Sequence, residues 1–208
     1  MHQHTFADLA ACVLRRGVGP RVVAIDGGGG SGKSVFADRL ARALAPLAEA
    51  VVVSVDDFCR PADSRGTDPH GLFDLKRLRS EVLVPYRAGA AVAYHPFDWA
   101  TERVSTEVRS VGCPEVLVLE GVFALCRALG DGEAFGIWVD APEDMRLARG
   151  LARDGESARD IWLNDWMRRE NAYRQHERPD LRADIVVDTA LPTDDSSFWC
   201  RTHRVEDL

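Results

Sequence analysis

The stretch Gly27-Gly28-Gly29-Gly30-Ser31-Gly32-Lys33-Ser34 has the residue types and spacing that most directly imply chemistry in this 208-residue chain. It fits G-x-x-x-x-G-K-[ST] at every position, after an apolar run at Arg21–Asp26 and at the start of an amphipathic one. Such a loop turns its backbone N–H groups around phosphate oxygens, and the N-terminus of the helix that follows adds positive potential. Glycines allow the positive φ angles and close approach that side chains forbid, at roughly 0.5–1 kcal/mol of extra entropy each. Lys33 is placed to reach the β- and γ-phosphates, and the Ser34 hydroxyl to ligate Mg²⁺. It is one of only two lysines, with Lys76, among 26 basic residues. Gly27 to Ser34, with Val35 in the first helical turn, are the expected ATP-binding residues.

A phosphate loop alone serves switch GTPases, motors, small-molecule kinases and nucleotide sensors. No N-K-x-D element is present to read guanine, and the run Val116–Glu120 ends Leu119-Glu120-Gly121, without the paired acids of ATPase motors. A kinase needs a general base beside the γ-phosphate. Asp56 and Asp57 follow a second apolar run, Ala50–Val55, and so fall at the strand edge where open α/β sheets bind ligands. One carboxylate can take the proton of an acceptor hydroxyl while the other assists the water shell of a metal. Arg146, Arg149 and Arg153 recur at helical steps, so one helix face carries three guanidinium groups. Closed over a nucleotide, that face would neutralise the transferring phosphoryl and exclude water.

The elements that must hold these groups are read from hydrophobic periodicity. Arg21–Asp26, Ala50–Val55, Val116–Glu120, Phe135–Asp140 and Asp184–Asp188 are apolar throughout, as strands buried on both faces are. Helical patterns occur at Phe6–Arg16, Lys33–Ala45, Asp74–Val84, Val122–Leu129, Pro142–Ala152 and Arg159–Glu177. The expected fold is α/β, a P-loop NTPase with a five-stranded parallel sheet flanked by helices. Two short β-like runs, Ala91–Tyr94 and Val104–Val111, predict a β-hairpin insertion over about 91–111, and residues 142–177 a helical lid, all in a single domain spanning 1–208.

Several segments, taken in order over about residues 20–190, resemble the uridine kinase branch of the phosphoribulokinase/uridine kinase group. Ser54-Val55-Asp56-Asp57-Phe58-Cys59-Arg60 is similar to the family's S-x-D-S-F-Y-R, whose first aspartate is the catalytic base, which implies that role for Asp56. Asp68-Pro69-His70-Gly71-Leu72-Phe73-Asp74 resembles D-H-P-D-A-F-D, whose first aspartate holds ribose hydroxyls, implying substrate contact by Asp68. Val118-Leu119-Glu120-Gly121-Val122 resembles the strand and turn whose glutamate supports Mg²⁺, and Arg146 to Asp154 keeps the spacing of the lid R-L-x-R-x-x-x-R-D. Ala183-Asp184-Ile185-Val186-Val187 matches the closing strand. The base-reading Y-D-F and its histidine are represented by Phe97-Asp98-Trp99 without the histidine; Tyr94, Phe97 and Trp99 are the expected substrate contacts. Cys59 and Asp57 stand where the family has tyrosine and serine, and Arg159 lies one place beyond the expected lid arginine. The resemblance implies an ATP- and Mg²⁺-dependent kinase with Asp56, Lys33, Arg149 and Arg153 as catalytic residues and Ser34 and Glu120 as metal residues. Its acceptor is a small alcohol, first a nucleoside such as uridine or cytidine; pantothenate, another vitamin precursor or a sugar stays open, as does a nucleotide-binding module without turnover.

Composition narrows the setting. A formal net charge of −7 disfavours nucleic acid as a partner. Apolar runs are too short to span a bilayer. Five scattered cysteines without a C-x-x-C pair point to a reduced, cytoplasmic chain. His70, His95, His176 and His203 show no metal-ligand spacing, and His2 and His4 read as a mobile terminus. Trp162 and Trp166, at i and i+4, read as core or lid packing, and Phe198–Leu208 and self-association are left open.

Overall fold

The structure is a computed structural model, and it describes residues 1–16, 19–130 and 134–203; the last residues of the expected domain, 204–208, lie outside the described residues. In chain order the elements are β1 (His2–Thr5), α1 (Phe6–Arg15), β2 (Arg21–Asp26), α2 (Lys33–Leu44), β3 (Ala50–Ser54), α3 (75–87), β4 (Val92–Tyr94), β5 (Phe97–Asp98), β6 (Arg103–Val104), β7 (Arg109–Gly112), β8 (Val116–Glu120), β9 (Phe135–Asp140), α4 (Glu143–Asp154), α5 (159–177), α6 (Pro179–Arg182), β10 (Ile185–Asp188) and β11 (Ser197–His203). α3 and α5 each contain a π turn, at Arg79–Leu83 and Trp162–Trp166.

The central sheet has seven strands in the order β1-β11-β10-β9-β2-β8-β3. The five expected strands pair in parallel. Alternate residues of each strand feed opposite faces: Val22, Ala24, Leu117 and Leu119 pack in the layer that contains Leu75, Leu78, Leu83 and Tyr86 of α3. Val23, Ile25, Val116 and Val118 pack with Phe6 and Leu9 of α1 and Phe36 and Leu40 of α2. Covering both faces is what makes these strands continuously apolar.

Two expectations need correction. His2–Thr5 is an edge strand, antiparallel to β11, which in turn runs antiparallel to β10; the sheet is therefore mixed. Val122–Leu129 is a turn ending in a short 3₁₀ helix at Arg127–Leu129, not a helix. Phe123 adopts φ 72°, and the N–H groups of Phe123 and Leu125 turn onto the buried carboxylate of Asp26, at 3.1 and 2.9 Å, instead of onto helical carbonyls. The hairpin insertion forms two short ladders, β4 with β7 and β5 with β6, neither joined to the main sheet.

Candidate active site

Three neighbouring strands, β3, β8 and β2, end together at one edge of the sheet. Glu120 ends β8 with Ser54 of β3 and Ile25 of β2 as its register partners. The glycine loop leaves β2, and Asp56 and Asp57 leave β3 in a single 3₁₀ turn, Val55–Phe58. Residues far apart in sequence therefore meet because parallel strands carry them to the same edge.

Within the loop, Gly27 and Gly32 hold φ of 152° and 96°. A Cβ at Gly27 would lie 2.1 Å from the Val139 carbonyl oxygen of β9, so the loop can leave the sheet there only as glycine. Gly32 opens α2 without a side-chain cap. The first-turn N–H groups of Lys33, Ser34 and Val35 thus point out of the helix end, an arrangement that suits an anion. Lys33 is buried, and its Nζ donates to the Gly28 carbonyl at 3.1 Å. Ser31 is buried with its hydroxyl unpartnered.

Beside the loop, Ser34 Oγ donates to Glu120 Oε2 at 3.3 Å and Ser54 Oγ to Oε1 at 3.1 Å. Burial raises the Glu120 pKa, Lys33 opposes this, and Asp56 adds to it. Two hard oxygen donors from Ser34 and Glu120, with the Asp56 charge nearby, are a set that fits Mg²⁺, which takes one or two carboxylates plus waters and phosphate oxygens. Asp56 is exposed. The protein around its carboxylate still raises its pKa by desolvation, against the fields of Lys33 and Arg153. Asp57 has a different place from the one expected: its Oδ2 accepts the Tyr94 hydroxyl at 2.6 Å and Arg109 Nη1. It ties the turn to the hairpin rather than facing a metal.

The three lid arginines separate. Arg146 is buried and donates to Glu170 Oε2 at 2.8 Å. Glu170 Oε1 in turn accepts the Gly29 N–H at 2.9 Å. Cβ atoms at Gly28 and Gly30 would meet Arg146 Nη1 at 1.6 Å and the Arg146 carbonyl at 2.2 Å. These two glycines therefore make room for α4, and Arg146 docks the lid instead of facing the nucleotide. Arg149 donates to the Thr189 carbonyl at 2.9 Å and the Gly30 carbonyl at 3.4 Å. Arg153 is exposed, paired with Asp154 at 2.7 Å, and its field reaches Asp56. Trp162 is buried against Gly150 and contacts Trp166 edge-on at 5.3 Å, so both tryptophans are packing residues.

On the acceptor side the expected contacts also divide. Asp68 is exposed and accepts the His70 N–H at 3.0 Å. Trp99 is 58% exposed and stands edge-on to Phe97 at 5.0 Å. Phe97 and Tyr94 are buried at 4% and 1% exposure, Tyr94 stacked 4.9 Å from Phe58. Of these four, Asp68 and Trp99 have exposed side chains, while Tyr94 and Phe97 are buried, Phe97 packing edge-on against Trp99. A concavity of about 440 Å³ lined by Arg16, Leu83, Leu119 and Arg182 shares no residue with this edge.

Sequence reasoning missed Asp26, Tyr173, Glu170 and Thr189. Asp26 is fully buried, accepts Gly27 N–H at 2.6 Å and the Tyr173 hydroxyl at 2.7 Å besides Phe123 and Leu125, and burial pushes it up to about 6. Its signal was visible, since a carboxylate closing the run R-V-V-A-I-D must find donors inside the protein. Glu170 and Tyr173 share the helical pattern of α5 with many exposed residues, and nothing in that pattern singles them out.

A mixed sheet with a parallel centre, a phosphate loop after β2 and acidic groups at the neighbouring strand ends defines a P-loop kinase fold. Residues 22–197 match the model of the Phosphoribulokinase / Uridine kinase family, and the chain belongs to that family. It is similar to a uridine kinase of Mycoplasma pneumoniae, 28% identical over 156 residues that cover 67% of this chain and 70% of that one. It is 29% identical to uridine-cytidine kinase A of Dictyostelium discoideum over 143 residues, 65% of this chain but only 28% of that longer protein. Among solved structures, a chain from Bacillus stearothermophilus described as a possible uridine kinase shares the fold, with a TM-score of 0.68 at 21% identity, covering 87% of this chain and 96% of the other. Family membership supports a phosphotransferase. No helix among the described residues is long and apolar enough to cross a membrane.

Proposed function

We propose that the protein transfers the terminal phosphoryl group of ATP, with Mg²⁺, to a hydroxyl of a small molecule, with a nucleoside such as uridine or cytidine as the leading acceptor. The observation that carries this is the convergence of the loop, Ser34, Glu120 and Asp56 at the ends of β2, β8 and β3. In this reading the first-turn amides of α2, with Gly27 to Val35, hold the phosphates, and Lys33 swings from the Gly28 carbonyl to a phosphate oxygen. Ser34 and Glu120 hold the metal, which neutralises the phosphate oxygens when bound. Asp56 accepts the acceptor hydroxyl proton as its oxygen attacks the phosphorus; its raised pKa strengthens it as a base. Arg153, exposed and electrostatically coupled to Asp56, meets the charge on the transferring group, with Arg149 behind it. Asp68 takes hydroxyls of the acceptor, and Trp99 offers an open aromatic face for a base.

The test is ADP formation by purified protein with Mg·ATP against nucleosides, vitamin precursors and sugars. Uridine- or cytidine-dependent ADP, lost in Asp56→Asn, supports the reading. Turnover with a different alcohol only would keep the kinase and replace the nucleoside. ATP binding without acceptor-dependent ADP across the panel would make the protein a nucleotide-binding module instead.

A further inference from the structure

We propose that His70, Cys126 and Glu177 form a binding site for a divalent transition-metal ion of the zinc type, separate from the phosphate-binding edge. The three residues come from the loop before α3, the turn after β8 and the last residue of α5. Their ligand atoms close a triangle: Cys126 Sγ to His70 Nε2 3.4 Å, Cys126 Sγ to Glu177 Oε1 3.5 Å, and His70 Nε2 to Glu177 Oε1 3.2 Å. Tetrahedral zinc, with bonds of about 2.3 Å to sulfur and about 2.0–2.1 Å to nitrogen and oxygen, sets these same edges at about 3.6, 3.5 and 3.3 Å. A hydrogen-bonded cluster explains two edges, with the thiol and imidazole each donating to the carboxylate, but puts no proton on the sulfur–nitrogen edge. A common centre explains all three.

Each ligand is also oriented by something other than the metal, as ligands of real sites are. Glu177 Oε2 accepts the Arg127 N–H at 2.8 Å and Arg182 Nη2 at 3.4 Å, which leaves Oε1 to the triangle. Cys126 Sγ accepts the Ala128 N–H at 3.4 Å, which orients the sulfur, while burial and the Glu177 carboxylate hold the thiol in its protonated form until an ion displaces the proton. The His70 ring is held edge-on by Phe123 at 5.0 Å and Tyr173 at 5.6 Å, and its Nδ1 faces Asp68 Oδ1 at 3.9 Å. Cys126 is buried while the His70 side chain is 27% open, so the fourth position falls to water on the His70 side. The sulfur selects against Mg²⁺ and Ca²⁺ and for zinc-like ions. Binding replaces the thiol proton, which leaves to solvent; thiolate and carboxylate then neutralise the ion. An ion here joins the loop that carries Asp68 to the end of the lid helix.

The experiment titrates the chelator-treated full chain with Co²⁺ in the absence of nucleotide. The expected result is one Co²⁺ per chain with thiolate-to-cobalt charge-transfer absorption and tetrahedral visible bands, displaced by one equivalent of Zn²⁺. The oxygen-only Ser34–Glu120 set cannot produce the sulfur band, so the readout is independent of the kinase reading and stands if that reading fails. Cys126→Ser abolishes the band. His70→Gln weakens binding at least tenfold, since loss of a supporting group alone costs roughly 10–100-fold. Cys113→Ser, an exposed thiol elsewhere, leaves the titration unchanged. No sulfur band in the native chain, or one that survives Cys126→Ser, overturns the site and leaves a hydrogen-bonded cluster only. Should Cys126→Ser fail to fold, His70→Gln decides, and unchanged affinity there overturns the proposal.

Discussion

The proposed phosphate side and the proposed acceptor side of the site are built on different principles. On the phosphate side the functional groups are backbone amides and short side chains held by the sheet: the loop is wedged under the Val139 carbonyl, Lys33 is buried, and Glu120 is flanked by two serine hydroxyls. On the acceptor side, Asp68 and Trp99 sit on a loop and a hairpin that add no strand to the main sheet. Behind them the chain of Asp57, Tyr94 and Arg109 fastens the hairpin to the turn carrying Asp56. In the proposed kinase, a wall that adds no strand to the sheet could change without disturbing the phosphate side, which is how one scaffold would serve different alcohols.

That division implies variants whose effects fall on one side only. Asp56→Asn, at the junction, should lower kcat by roughly 10²–10⁴ while leaving ATP affinity nearly unchanged. Equilibrium nucleotide binding with single-turnover rates checks this, and native-like turnover would remove Asp56 from the base role. Lys33→Ala should lower kcat by roughly 10²–10³ and weaken ATP binding as well, because its charge faces the phosphates both before and during transfer. An effect on acceptor KM alone would contradict the division.

The docked lid belongs to the phosphate side, which stability can test. The Arg146 and Glu170 side chains are 7% and 10% exposed. Glu170→Gln keeps an acceptor for the Gly29 N–H but leaves the buried guanidinium uncompensated, at a cost of about 3–5 kcal/mol. Urea unfolding measures it; a loss under about 1 kcal/mol would show that the lid frees Arg146 to solvent.

What could be read from the sequence follows the same line. Continuous segments spoke for themselves: Arg21–Asp26, Val116–Glu120 and Phe135–Asp140 are strands at the expected bounds, and the glycine loop sits between its strand and helix. Features that depend on a distant partner did not. His2–Thr5 is polar and becomes a strand only because β11 supplies the other half of the ladder. Val122–Leu129 has helical periodicity, yet Asp26 takes its N–H groups. Arg146 looks like its neighbours on the helix face until Glu170, 24 residues later, removes it from the surface. His70 has no ligand-like spacing because Cys126 lies 56 residues further along and Glu177 another 51 beyond Cys126.

Smaller effects should mark the acceptor wall. Trp99→Ala should weaken a nucleoside acceptor by about 1–3 kcal/mol, the usual worth of stacking a base on an aromatic ring, with ATP kinetics unaltered. An acceptor without a ring system should lose much less, so steady-state KM values for two acceptor classes discriminate between them. An equal loss for both would show that Trp99 shapes the hairpin rather than the ligand face.

The finest test concerns the electrostatic link across the cleft. Desolvation raises the Asp56 pKa and Lys33 and Arg153 lower it, while Asp57 raises it further. A base must be ionised, so kcat/KM should fall as pH drops through this pKa, on an acidic limb above the ordinary aspartate value of about 3.9. Removing a cation makes the ionised form harder to hold, so Arg153→Ala should move the limb to higher pH, and Arg153→Lys should largely restore it. Asp57→Asn removes an anion and should move it the other way. The position of the limb, not the height of the plateau, is the readout, since lid closure also changes the maximal rate. A limb that stays put in Arg153→Ala would place the lid arginine outside the field of the base, and the two sides of the cleft would then be coupled through the metal and Lys33 alone.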